Sequence, residues 1–118
     1  MSTVKGLFGR RLKAARMAAN LSQEKLGIEA ELDPMSASTR MNRYELGKRV
    51  PDLDLVARLA RVLEVPMAYF YAIDDEEADL LVRFHRMNGT DRAKVMAFVR
   101  EVDKVDVEVV DQVDKKGD

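Results

Sequence analysis

Apolar residues recur at helical spacing along this chain from its fourth residue onward. Leu7, Phe8, Leu12, Ala15 and Ala19 share one face of a helix predicted from Val4 to Ala19, because side chains three and four apart lie together. Asn20 ends that run, and Ser22 is placed to cap the next helix by accepting from its free first-turn amides. The second helix spans roughly Gln23 to Glu31, with Leu26 and Ala30 inward. Asp33-Pro34 breaks it, since proline pushes the residue before it out of helical backbone. A third helix, capped by Ser36 or Ser38, runs to about Leu46, its inner side marked by Met41 and Tyr44, and Gly47 is suited to end it in the left-handed conformation. Asp52 caps a fourth helix with Leu55, Leu59, Val62 and Leu63 inward, and Pro66 opens a short apolar fifth containing Met67, Tyr69 and Phe70. Five short helices with tight connections and no strand pattern predict an all-α domain over residues 1–72.

The remaining residues, 73–118, read as a helical extension. Asp74 to Glu77 put acid in a first turn, where the helix dipole favours it, and allow a capping box between Asp74 and Glu77. Leu80, Leu81, Phe84 and Met87 follow at helical spacing, Asn88-Gly89 reads as a stop, and Thr90 with Asp91 starts a last helix to about Lys104. Its Val95, Phe98, Val99, Val102, Val105 and Val109 approximate a three-four repeat, a stripe for packing on the domain or for a dimer seam. Val105 to Val109 also alternates with period two, so the pattern leaves residues 105–113 open between helix and strand.

Charge divides the chain at the same place. With 20 basic and 21 acidic residues the total is −1, which argues against an anionic partner only until it is split. Residues 1–72 hold 12 basic and 8 acidic groups, a net of +4, whereas residues 73–118 hold 8 and 13, a net of −5. A basic front and an acidic back are what is expected where one part meets an anionic polymer and the other does not. The absence of cysteine excludes disulfides, thiolate metal sites and thiol catalysis, and the lone His85 leaves no triad or histidine metal cluster to assemble. The longest uncharged apolar stretch, Val65 to Ile73, is less than half a bilayer span, and the first residues lack an apolar targeting core. A cytoplasmic protein that is neither a membrane protein nor an enzyme is expected, with no metal and no cofactor.

Two short helices joined by a turn, the second polar and basic, are the requirement for reading DNA. One helix lies across the phosphates while the next presents its outer side chains to base edges in the major groove. On the third helix that outer side carries Ser38, Thr39, Arg40, Asn42 and Arg43, and no acid occurs from Met35 to Tyr44. Arginine pairs with guanine, asparagine with adenine, and serine or threonine with several groups.

Arg16, Leu21-Ser-Gln-Glu-Lys-Leu26, Asn42-Arg-Tyr-Glu45, Gly47-Lys-Arg-Val-Pro51, Leu55, Ala60 and Leu63-Glu-Val-Pro66 together resemble the Xre/Cro, lambda-repressor-like helix-turn-helix family. The likeness covers about Leu7 to Tyr71. It implies a five-helix DNA-binding domain acting as a homodimer on double-stranded DNA with two half-sites. By that resemblance Gln23, Lys48 and Arg49 contact the DNA backbone, and Gln23 also braces the reading helix. Ser38, Thr39 and Arg43 fall where the family reads bases, with Arg40 and Asn42 beside them. Arg16 and Glu45 fall where it has an ion pair tying the first helix to the end of the third. Two departures stand out: Asp33 to Ser36 lengthens the turn, leaving Glu31 where a turn glycine often sits, and Gly27 replaces a small alanine. The function expected is a sequence-specific transcriptional regulator, most simply a repressor. The alternative is an antitoxin-type protein that binds DNA through the same domain and a partner protein through its extension.

Overall fold

The computed structural model describes residues 3–104. Its helices are α1 (Val4–Ala18), α2 (Gln23–Glu29), α3 (Ala37–Glu45), α4 (Leu53–Leu63), a 3₁₀ helix over Met67–Tyr71, α5 (Asp75–Arg86) and α6 (Gly89–Val102). The chain is all-α among the described residues, and no helix there is long and apolar enough to cross a membrane.

Local chemistry sets most of the boundaries. Thr3, Ser22 and Asp52 cap α1, α2 and α4, their side-chain oxygens accepting from the amides of Gly6, Lys25 and Leu55; such caps each hold about 1 kcal/mol. The start of α3 is built differently. Ser36 occupies the capping position, but its hydroxyl donates to the Asp33 carbonyl at 3.4 Å and leaves the α3 amides alone. Asp33 instead organises the turn, its carboxylate accepting from the Met35 amide at 2.9 Å. Gly47 closes α3 with φ at 74°. At α5 the Asp74 carboxylate accepts from the Glu76 amide at 2.8 Å.

The core is one apolar cluster. Phe8 and Leu12 of α1, Leu26 of α2, Met41 and Tyr44 of α3, Leu55, Val56, Leu59 and Leu63 of α4, and Phe70 meet there. Phe8 stacks at a tilt on Phe70, ring centroids 5.0 Å apart, so Tyr69 and Phe70 are core while Tyr71 stays partly exposed. α5 joins the same cluster through buried Ala78 and half-buried Val82, whereas Leu80 faces outward.

Three arginines fasten helix ends to their neighbours. Arg11 donates from Nε and Nη2 to the Ala72 carbonyl, at 3.0 and 2.7 Å, and pairs with Asp75 at 2.8 Å. Arg58 donates to the Ala30 carbonyl at 2.7 Å, and Arg86 to those of Glu64 and Leu63. Each satisfies carbonyls that a helix terminus or its connection leaves unpaired.

The first of two compact units therefore runs to Arg86 and includes α5, and the second begins at Met87. The boundary in packing and the boundary in charge at Ala72 are different features of the chain. In the second unit α6 starts earlier than the Thr90-Asp91 start expected: Asn88 is its cap, accepting from the Asp91 amide at 2.8 Å. Asn-Gly serves there as a beginning as well as a stop. Phe98 and Val102 stand 70% and 68% exposed on α6. Val105, Val109 and the open question over residues 105–113 lie outside the described residues.

Candidate nucleic-acid interface

α3 is sorted into two faces by its sequence. Ala37, Met41 and Tyr44 are buried, and Ser38, Thr39, Arg40, Asn42 and Arg43 are exposed together on the other side. Lys48 and Arg49, just past the end of α3, are exposed as well. Among the described residues, Arg43, Lys48 and Arg49 engage no carboxylate, so their charge is available to an outside anion.

Backbone, rather than side chains, fixes where this face sits. α1 crosses the end of α3 at Gly9, where a Cβ would collide with the Glu45 carbonyl and lie 2.8 Å from the Tyr44 carbonyl oxygen. α2 approaches the start of α3 at Gly27, where a Cβ would come 2.8 Å from that of Ala37. The glycine that weakens α2 by up to about 1 kcal/mol is therefore the one that lets α3 close on it, and an alanine would not fit this approach unchanged.

A polar lock completes the mounting. Arg16 donates to Glu45 at both ends, Nε to Oε2 at 2.6 Å and Nη2 to Oε1 at 3.2 Å, and Nη1 donates to the Leu21 carbonyl at 2.8 Å. The Glu45 side chain is 3% exposed and that of Arg16 14%. This bidentate geometry is the strong form of the pair. Gln23 adds a third member, its amide donating to Glu45 at 3.0 Å and to Asn42 Oδ1 at 3.2 Å. The bond leaves the Asn42 amide nitrogen free to act as a donor at the surface. One network thus links α1, α2 and α3 and reaches the exposed face at Asn42.

Arg40 behaves unlike its neighbours. Its Nη2 donates to the Tyr44 hydroxyl at 2.8 Å, and its guanidinium carbon lies 5.9 Å from the centre of that ring. The side chain is thereby drawn along α3 toward its C-terminal end. There Arg40, Arg43, Tyr44 and Arg49 line an open cleft of about 140 Å³. Residue types and periodicity place Arg40 on the outer side, but they carry no signal for this bend. Gly9 does have a signal, since a glycine inside a strong helical pattern marks a close approach.

The lengthened turn is ordered. Glu31 takes φ of 73°, the conformation in which glycine is at ease, and donates its amide to the Ile28 carbonyl at 2.9 Å. Among the described residues no group of three or more histidine, cysteine or carboxylate side chains is placed to hold a metal.

This arrangement can meet an acidic polymer with a polar, cationic ridge held rigidly from behind. Known proteins are similar to this chain. The family described as helix-turn-helix domain matches residues 7–70. The crystal structure of the transcriptional regulator BswR superposes with a TM-score of 0.75 at 40% sequence identity, covering 79% of this chain and 92% of that one. Comparison with curated proteins finds no match.

Proposed function

Since this chain belongs to the helix-turn-helix domain family and is a DNA-binding transcriptional regulator, we propose that it is a repressor working in the cytoplasm as a homodimer on a two-half-site operator. In this reading α3 enters the major groove, and Ser38, Thr39, Asn42 and Arg43 meet base edges. Lys48 and Arg49 hold phosphates beside them, while Gln23, whose two side-chain N–H groups go to Glu45 and Asn42, braces the reading helix. The observation that carries it is the exposed polar face of α3, locked from behind by Arg16, Glu45 and Gln23 and fringed by unpaired cations.

Selection of bound sites from random duplexes tests it directly. Arg43→Ala should relax the preference at one base position, at a discrimination of about 1–3 kcal/mol. Lys48→Ala should instead weaken binding to all sequences alike and shallow the salt dependence by about one unit. Binding that is indifferent to both changes and to salt would refute the assignment.

A second reading follows from α6, whose Phe98, Val99 and Val102 are exposed. That apolar stripe serves either the homodimer or, in an antitoxin-type protein, a partner chain. We favour the homodimer, because a two-half-site operator needs two reading helices.

A further inference from the structure

We propose that the cleft between α3 and the residues after it seats a single backbone phosphate of the bound duplex, and that Arg40 belongs to that seat and not to the base-reading set. The proposal rests on the DNA-binding reading above and goes beyond it by reassigning one residue and pairing it with another. Arg40, Arg43, Tyr44 and Arg49 line the cleft, and no carboxylate is among them. Cations gathered around one void repel each other, and an anion between them relieves that repulsion.

Arg40 is prepared for the purpose. The bond to the Tyr44 hydroxyl and the ring contact use one of its five N–H donors and one face of its guanidinium. The remaining donors are a planar fork suited to the two non-bridging oxygens of a phosphodiester. The Tyr44 bond draws Arg40 along α3 toward Arg49 and away from the exposed side chains of Ser38 and Thr39. The cleft has room for a phosphate group.

Two sources could supply such an anion, the duplex backbone or free phosphate, and the experiment separates them. Arg40→Ala, Arg49→Ala and the double variant are compared with the wild type on the selected duplex over 50 to 200 mM salt. Each single change should leave the salt slope close to that of the wild type, because the other arginine still neutralises the shared phosphate. The double variant should shallow it by about one unit, so that about fourfold less affinity is lost across that range. Base preference should stay as in the wild type for all three. Both residues are exposed, and circular dichroism is the check that the variants are folded.

A changed base preference in Arg40→Ala would overturn the proposal, as would single-variant slopes that add in the double. Inorganic phosphate supplies the other arm, titrated at fixed ionic strength. If it raises the melting temperature of the wild type but not of the double variant while all duplex slopes coincide, the cleft holds a free anion and the proposal fails. Loss of salt-dependent DNA binding by the wild type itself would instead remove the underlying reading, a distinguishable outcome.

Discussion

Glu31 stands in the left-handed region at φ 73°, where a side chain with a Cβ is strained by about 1–2 kcal/mol. Its carboxylate recovers little: the pair with Arg61 is 3.5 Å long and both side chains are 68% exposed, a setting worth at most about 1 kcal/mol. Glu31→Gly is therefore expected to raise stability by about 0.5–1 kcal/mol, or a few degrees in Tm, after the entropy of the added glycine is counted. Tyr69 offers a test in pH. Burial raises its pKa above the ordinary 10, with the Arg11 charge opposing and Asp75 assisting, and its hydroxyl donates to the Arg11 carbonyl at 3.2 Å. A raised folded pKa means the unfolded chain loses this proton first. The contribution is thus complete below pH 10 and fades as pH climbs through the folded value. Melting curves taken from pH 9 to 11 should fall more steeply for the wild type than for Tyr69→Phe, which begins lower but has no such proton to lose. The resemblance marks Glu31 as standing where a turn glycine often sits, but residue type and periodicity give no sign of its left-handed backbone. Nor do they announce the bend of Arg40, because it depends on a hydroxyl one turn away.

At the scale of helices, the two faces of α3 follow from the spacing of Met41 and Tyr44 alone, and the caps at Ser22 and Asp52 from residue type at a pattern edge. What escaped the pattern was competition between equivalent signals. Ser36 and Ser38 were equal candidates for the α3 cap until the Asp33 turn engaged the first of them. Asn88-Gly89 reads as a stop or a start with equal chemical sense. The anchoring roles of Arg11, Arg58 and Arg86 have no counterpart in the pattern, because arginine carries no sequence mark of a carbonyl waiting across the fold. The Arg16–Glu45 pair belongs to this scale, because it joins α1 to α3. Removing Glu45 strands a largely buried guanidinium, so Glu45→Ala should lose about 3–5 kcal/mol of folding stability. An unchanged thermal midpoint would show that the pair contributes nothing to the mounting of α3.

For the whole molecule, the proposed homodimer rests on the stripe of α6, and charge at its centre is the sharpest challenge to it. Phe98→Glu should convert a dimeric mass in light scattering to a monomeric one and weaken binding to a full operator far more than to a half-site. A dimer that survives this change would turn the stripe over to a partner protein. The split of charge between front and back was plain from counting, but where packing divides the chain was not, since Ala78 and Arg86 join α5 to the core through contacts that no local pattern announces. The glycine at position 9 has a consequence for how such a regulator diversifies. With main chain resting on main chain where α1 crosses α3, no side chain lies at that crossing to act as an adjustable spacer. In the proposed reading the backbone then sets the pose of α3, and a change of operator is expected to need only the exchange of Ser38, Thr39, Asn42 and Arg43 in place. Transplanting those four residues from a relative should carry its sequence preference along while leaving this scaffold unaltered.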